Sequence, residues 1–511
     1  MLTLRLRNAR LLDRIVTAEE AAEWIQDGMT VGISGFASAG DVKVVPRALV
    51  NRVKKENKPF KINVYTGASI SSEADGIMAE AGIINKRLPF MSEKTMRQKI
   101  NRGELMYVDQ HLSHTAELIR SDVLPAIDIA IIEAVAITED GYIVPSTSVG
   151  NSNIFAEKAK GIIVELNLAQ PMTLEGVHDL YSPAAQGQRD PIPLTSVNQR
   201  IGSTALKVDL DRIKGIIITD QKDVPSRFVE PDEDTMAVAD HLIRFLRNEV
   251  KVGRLPYNLA PLQSGVGSVA NAVFRGFLNS EFTDLQVYSE VLQDAVFDLI
   301  DAGKISYASG SSITVSSEKM NTVLLDFDKY KDKIILRPQE ISNHPEITRR
   351  LGIIAINTAL EVDIYGNVNS THVMGTQIMN GIGGSGDFAR NARLGIFVTK
   401  SIAKEGKISS IVPFVAHVDH TEHDVDVIVT EQGLADLRGL APRERALAII
   451  ENCTHPSYRY QLYEYFNEAS KRPGQTPHIL EKALSWHIQY EKEATMLQEK
   501  SLKHCSEIAR A

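Results

Sequence analysis

The sequence predicts an α/β protein built from two tandem, open, parallel-sheet domains. Three observations point there. Residues 127–133, 161–167 and 213–219 are apolar, β-branched runs without the in–out alternation of a half-exposed strand, as strands covered on both faces must be. Helical periodicities separate such runs, which is the pattern of βαβ units and a parallel sheet. The two halves also echo one another. Ser34-Gly35-Phe36 recurs as Ser264-Gly265-Val266, and residues 143–149 recur at nearly the same offset as residues 367–373, so the chain reads as a duplicated unit. A chain of 511 residues with 43% hydrophobic content is too long for one core.

The elements follow in order. Thr17-Ala18-Glu19-Glu20 has the spacing of a capping box and starts a helix that ends near Gly28. Residues 29–33 and 62–65 read as strands, each followed by a turn of small residues, with a helix carrying Pro46 between them. Over residues 220–234 the composition shifts to Asp, Lys, Pro and Glu, which reads as a linker. The domains are therefore set at 1–225 and 226–511. A helix over residues 235–250, with Ala237, Val238, Leu242, Ile243 and Leu246 on one face, opens the second half. The first ten residues are basic enough to suggest an organelle presequence, but an acidic helix follows at once without a processing-like break.

Composition narrows the function. A net charge of −9 argues against a nucleic-acid or anionic-membrane surface, so a phosphate-bearing ligand needs a local basic or N–H-rich site. No apolar run approaches the roughly 20 residues that span a bilayer, and no membrane partner is expected. Cys453 and Cys505 form neither a CxxC nor a disulfide framework, so the expected location is a reducing cytoplasm.

The chemistry centres on residues 285–303. Leu285, Val287 and Tyr288 form a short buried-strand run. From Val291 the apolar residues Leu292, Ala295, Val296, Leu299 and Ile300 fall at helical spacing up to a stop at Gly303. Glu290 sits where the strand hands over to the helix. Ligand crevices of open α/β sheets lie beyond the carboxyl ends of strands. A carboxylate there, close to a helix N-terminus, is expected to be held ionised by the dipole and by free N–H groups. That suits a nucleophile better than a general acid, although a first-turn Glu that only helps to start a helix has the same pattern.

Two glycine-rich segments, residues 263–273 and 380–388, accompany Glu290. Gly381, Gly383 and Gly386 satisfy GxGxxG, but the approach to them is polar rather than strand-like. Lys400-Ser401-Ile402-Ala403-Lys404 stands where a nicotinamide site needs an acidic residue, so no nicotinamide cofactor is expected. Glycine loops bring backbone N–H groups close to an anion, and two of them can converge as the paired donors of an oxyanion hole. Either loop alone also reads as a tight turn without a ligand.

Other candidates are weaker. His417, His420 and His423 would share a helical face, but their surroundings read as a loop without cysteine, and no metal is assigned. Residues 431–439 read as a turn with an internal ion pair. Lys404 and Lys407, flanking Gly406, either meet a phosphate or form a solvated basic loop. His111 and His114 read as surface residues, and Cys453 beside His455 lacks a nucleophile's context.

Taken together, four segments resemble the acetyl-CoA hydrolase/transferase family. They are residues 288–293 (Tyr-Ser-Glu-Val-Leu-Gln), 263–267 (Gln-Ser-Gly-Val-Gly), 380–388 (Asn-Gly-Ile-Gly-Gly-Ser-Gly-Asp-Phe) and 417–420 (His-Val-Asp-His). The likeness runs nearly end to end, from Leu6-Arg7-Asn8 to Leu484-Ser485-Trp486-His487. It implies two α/β domains of CoA-transferase type, a homodimer, and a basic N-terminus that belongs to the fold. The activity it implies is CoA exchange between acyl-CoA and small carboxylates (succinate, acetate, propionate), or acyl-CoA hydrolysis by the same glutamate. By this resemblance Glu290 attacks the thioester, giving an acyl-glutamyl anhydride and then a glutamyl-CoA thioester. Backbone N–H groups at Val266 and Gly384 hold the oxyanion, and Asn343 positions carboxylate substrates. CoA is held at Gly265, Val266, Gly267, Ser268, Val269, Asn380, Gly384 and Lys404. Coenzyme A enters as substrate and covalent intermediate, with no tightly bound cofactor and no metal. Some relatives place an arginine several residues ahead of a Phe-x-x-Pro-Asp-Glu segment, where it selects a dicarboxylate by bidentate pairing. Here Arg227 directly precedes Phe228, so the succinyl preference is less firmly implied than the chemistry.

Overall fold

The computed structural model describes residues 2–226, 230–265 and 267–498. The first sheet contains β1 (Thr30–Ile33), β2 (Ile62–Tyr65), β3 (Ile84–Leu88), β4 (Met106–Tyr107), β5 (Ile129–Ile137), β6 (Ile143–Pro145), β7 (Gly161–Asn167) and β8 (Ile213–Thr219). Its order is β4-β3-β2-β1-β5-β7-β8, parallel throughout, with β6 folded back antiparallel on β5. The second sheet contains β9 (Leu262–Ser264), β10 (Leu285–Tyr288), β11 (Ile305–Gly310), β12 (Ile334–Leu336), β13 (Ile354–Thr358), β14 (Leu394–Val398), β15 (Val427–Thr430) and β16 (Gly433–Asp436). Its order is β12-β11-β10-β9-β13-β14-β15-β16, and only the edge strand β16 runs antiparallel.

Position for position the two orders match. Each sheet starts in the middle, at β1 or β9, winds outward on one side, then crosses to the other. Ser34 follows β1 and Ser264 closes β9, so the serine–glycine echo marks the same place in a duplicated topology. All residues of β5 and β7 are buried, which accounts for their unbroken apolar runs.

Local signals explain several boundaries. The helix Ala18–Glu23 starts on a capping box in which Thr17 Oγ1 accepts from the Glu20 N–H at 3.1 Å and Glu20 Oε2 accepts from the Thr17 N–H at 2.8 Å. The helix Val45–Glu56 takes Pro46 in its first turn, and the N–H groups of Lys43, Val44 and Val45 donate to the buried Glu165 of β7. This satisfies the otherwise orphaned donors of a helix start. The helix predicted over 235–250 is Glu233–Lys251, capped by Asp232. Near the N-terminus, Arg5 is buried and donates to the carbonyls of Val135, Asn167, Leu168 and Gln170, so this basic segment closes the ends of two strands.

One boundary differs from the sequence reading. Val291–Leu292 is extended and pairs in parallel with Ser312–Ile313, and the helix is only Asp294–Asp301. The apolar spacing holds, but the first two of those residues are spent on a strand that crosses towards the other half.

The chain leaves the first sheet after Thr219 and enters the helix that covers the second at Glu233. The halves are joined by backbone bonds from Val149 N–H to Ser311 O, Ile313 N–H to Thr147 O and Gln339 N–H to Gly150 O, each 2.9 Å. Two buried ion pairs, Arg120–Glu340 and Arg337–Asp179, join them as well. Helices Pro442–Cys453, Pro456–Ala469 and Ser485–Glu493 add a separate apolar cluster against β14 and β15 that includes Phe397, Ile428, Tyr458 and Trp486. Among the described residues no helix is long and apolar enough to cross a membrane.

Candidate active site

The second sheet changes winding direction between β9 and β13, where a doubly wound sheet opens a crevice at its carboxyl edge. Beside this point β10 ends. The Tyr288 hydroxyl donates to Ile341 O at 2.7 Å, and Ser289 Oγ donates to Ser264 O at 3.0 Å. Glu290 follows, its carbonyl accepting from the N–H groups of Ser311 and Ser312 at 2.6 and 3.1 Å. With the main chain held on that side, the carboxylate meets Asn343, whose Nδ2 donates to Oε1 at 2.5 Å. Glu290 is 6% exposed and Asn343 fully buried.

Burial pushes the Glu290 carboxyl up to about 7, against the opposing pull of the Asn343 hydrogen bond. This corrects the expectation of a carboxylate held ionised by a helix dipole. The helix begins only at Asp294, too far along the chain to contribute, and desolvation dominates. A group titrating near 7 still has a substantial ionised fraction at neutral pH, so it can serve as a nucleophile, with strong pH dependence.

Glu290 opens into a cleft of about 190 Å³, lined also by Phe90, Gly265, Asn357, Ser370 and residues 380–385. A Cβ added at Gly384 would collide with both the Glu290 carboxylate and the Asn343 amide, so only glycine lets the loop lie against the carboxylate. The Gly384 N–H has no acceptor among the described residues. The first half of the chain holds this loop in place. The Ile382 N–H donates to both carboxylate oxygens of Asp109 at 3.0 Å, and the Leu112 N–H donates to Gly383 O at 3.3 Å. Just beyond the loop, buried Asp387 accepts from Ser113 Oγ at 2.5 Å and from the Ser113 N–H at 3.1 Å. Burial, with the nearby Glu290 charge adding to it, pushes Asp387 up to about 8, while Ser113 and Asn343 oppose the shift. Two buried carboxyls with raised pKa values thus flank one amide.

Of the residues singled out from the sequence, Gly265, Glu290, Asn380 and Gly384 line the cleft and Asn343 backs it. Asn380 Oδ1 is buried and has no partner among the described residues. Gly267 is exposed with φ 138° and Val269 is half-buried; neither is among the residues that line the cleft. Val266, the Ser268 side chain and Arg227 lie outside the described residues. Lys404 stands exposed at the turn of the pair Ile402–Ala403 and Ile408–Ser409, apart from the lining residues. The 431–439 segment does carry its internal ion pair, Arg438–Asp436 at 2.7 Å. His114 is exposed as expected, but His111 is half-buried with its ring against Gly386. Residues 417–421 are not helical. His420 is buried, with Nε2 3.3 Å from Ser370 Oγ and 3.2 Å from Ser385 Oγ. Sequence reading gave no role to Asp387, Ser113 or Asp109. For Asp387 the one available signal was an acidic residue directly after a glycine run; Asp109 and Ser113 reach the site only through the fold.

Comparison with known proteins identifies the family. The acetyl-CoA hydrolase/transferase N-terminal domain matches residues 3–230, and the C-terminal domain of the same name matches residues 320–466. The chain belongs to the acetyl-CoA hydrolase/transferase family. It is 55% identical to a succinyl-CoA:acetate CoA-transferase of Clostridium kluyveri, over 96% of this chain and 92% of that protein. It is 43% identical to an acetyl-CoA hydrolase of Schizosaccharomyces pombe, over 97% and 98% respectively. The solved structure of RipA from Yersinia pestis superposes with a TM-score of 0.70 at 23% identity, covering 88% of this chain and 96% of that one. The fold of this acetyl-CoA hydrolase/transferase family member is therefore shared well beyond its close relatives.

Proposed function

We propose that this protein is an acyl-CoA:carboxylate CoA-transferase of succinyl-CoA:acetate or propionyl-CoA:succinate type, with Glu290 as its nucleophile. The observation that carries the reading is the buried Glu290 carboxylate, held by Asn343 and pressed against Gly384 in the cleft. The carboxylate attacks the thioester carbonyl, and the Gly384 N–H, with that of Val266, donates to the tetrahedral oxyanion. The CoA thiolate leaves, giving an acyl-glutamyl anhydride. It then attacks the glutamyl carbonyl, forming a Glu290–CoA thioester and releasing the first carboxylate. The acceptor carboxylate attacks that thioester to form a second anhydride, and the returning thiolate takes the acceptor's acyl group and frees Glu290. CoA passes through as substrate, and this sequence calls for no tightly bound cofactor or metal. The nucleotide contacts are assigned to Gly265 through Val269, Asn380 and Lys404, and the domain boundary to residue 225. The reading includes a cytoplasmic homodimer, supported by the family likeness and by Cys453, which is buried as a free thiol.

A second reading is favoured by the relative named as an acetyl-CoA hydrolase: the same glutamate, with water ending the cycle. The two differ in how well the closed site keeps water from the intermediates. The deciding experiment supplies succinyl-CoA or acetyl-CoA with and without acetate, succinate or propionate, and follows free thiol and new thioester together. The transferase gives a new acyl-CoA only with acceptor and little free thiol. Steady thiol release regardless of acceptor overturns that reading in favour of the hydrolase.

A further inference from the structure

The fold gathers a second polar cluster that this chemistry does not use. The spacing of His417, His420 and His423 suggests neighbours, but His420 turns inward to Ser370 and Ser385, and the His423 side chain is 82% exposed. Their place beside His417 is taken by His372, carried there by the antiparallel pair His372–Val373 and Gln377–Ile378. The His372 and His417 rings lie 3.8 Å apart between centroids, and His417 Nε2 is 3.3 Å from Asp419 Oδ1. One donor atom from each of the three residues lies within 4.8 Å of the other two.

The surrounding hydrogen bonds orient these donors. The Asp419 carboxylate accepts from the Ser370 N–H at 2.7 Å and from Thr371 Oγ1 at 2.9 and 2.8 Å. A hydroxyl has one proton to give. With that proton committed to Asp419, Thr371 Oγ1 accepts from His372 Nδ1, 2.6 Å away. His372 is thereby fixed as the Nδ1–H tautomer, leaving the Nε2 lone pair free. An imidazole whose second nitrogen donates to a fixed oxygen is the usual outer support of a protein-bound transition metal.

We propose that His372, His417 and Asp419 bind a single divalent transition cation of the zinc class, with the fourth position open to water. Two imidazoles and one carboxylate suit zinc and its neighbours, and disfavour magnesium and calcium, which take oxygen ligands. The His417 side chain, 37% exposed, leaves a route for entry. A bound cation pins the strand at His372 to the loop at Asp419, where Gly375 already rests on Ala416. The hairpin held in this way runs directly into residues 380–384, so the site acts on the glycine loop from outside the cleft.

The test uses the full-length chain without an affinity tag, stripped of metal with dipicolinate. It is titrated with zinc(II) against a chromogenic chelator and separately with cobalt(II). The parent and His423→Ala should each bind one equivalent, with the visible bands of four-coordinate cobalt. His372→Ala and His417→Ala should bind at least about tenfold more weakly. Thr371→Val, which keeps all three ligands and removes the tautomer lock, should lose about 10- to 100-fold. A parent that binds no zinc at micromolar concentration overturns the proposal, as does an unchanged affinity in the His372, His417 and Thr371 variants. Circular dichroism checks that each variant is folded. If a histidine variant is not, the parent and Thr371→Val titrations decide.

Discussion

Glu290 meets two requirements that pull apart: a nucleophile must be ionised, and a site that excludes water penalises the ion. Burial raises the carboxyl to about 7, and Asn343 holds it from rising further by donating to the charged form. The free enzyme should therefore show a kcat/KM that increases with pH through a limb near 7, rather than near the ordinary carboxylate value of about 4.3. Asn343→Ala removes a hydrogen bond that favours the ion, so the limb should move to higher pH. Asp387 tests the same balance from the other side. Burial and the Glu290 charge push Asp387 up to about 8, so it is still protonated while Glu290 ionises, and Asp387→Asn, which cannot ionise, should leave the limb near 7 where it is. A profile flat from pH 5 to 9 in the parent would remove Glu290 as the titrating nucleophile. An unshifted limb in Asn343→Ala would show that this amide does not tune it, and a limb moved to lower pH in Asp387→Asn would show that Asp387 is charged while Glu290 titrates.

At the scale of elements, the loop over residues 380–384 is shaped by what cannot be there. Gly384 has φ −94°, a backbone conformation open to any residue, so glycine is required by contact and not by torsion. Gly384→Ala should therefore lower kcat/KM by at least about 10², the usual worth of an oxyanion contact. It should cost only about 1–3 kcal/mol of stability, as overpacking does. Rate assay and urea denaturation on the same variant separate the two effects; a fully active Gly384→Ala would take the loop out of the site. The strands read at 29–33, 62–65, 127–133, 161–167 and 213–219, the capping box at Thr17 and the helix at Glu233–Lys251 were legible from sequence because their causes are local: apolar runs, a Thr-x-x-Glu spacing, an apolar face at helical period. The loops and Glu290 were legible as residue types in a known pattern. The state of Glu290 was not, because proximity to a helix start is visible in sequence and desolvation by segments as distant in the chain as Asn343 and Gly384 is not. Asp109, Ser113 and His372 were missed for a related reason, since each reaches its site from a distant segment. The strand at Val291–Leu292 reads as helix because its pairing partner, Ser312–Ile313, contributes nothing to local periodicity.

For the whole molecule, duplication divides the labour unequally. Tyr65 and Tyr288 end equivalent strands, yet Gly67 stands where the second half has Glu290. A Cβ at Gly67 would meet Gly35 O at 2.6 Å and Gly150 Cα at 3.0 Å. The first half thus packs tightly where the second carries a carboxylate, and its remaining part in the site is to hold the glycine loop through Asp109, Leu112 and Ser113. Such a site needs the halves to stay registered, and the contacts that register them are buried. Arg120 donates to both oxygens of Glu340 at 2.8 Å, and Asn153 Nδ2 adds a third bond at 3.0 Å. The halves should therefore unfold together. The two tryptophans allow a direct check, since Trp24 packs on Lys214 and Gly215 of the first sheet and Trp486 packs on Tyr458 of the C-terminal helices. In Trp24→Phe and in Trp486→Phe, the remaining fluorophore should report the same urea midpoint as circular dichroism of that same variant. Arg120→Ala strands a buried carboxylate, which costs about 3–5 kcal/mol, and places that cost at the junction instead of within either core. In that background the two single-tryptophan midpoints should separate, and kcat/KM should fall even though Arg120 touches no reacting group. Midpoints that stay together with activity unchanged would mean that the glycine loop keeps its place without this ion pair.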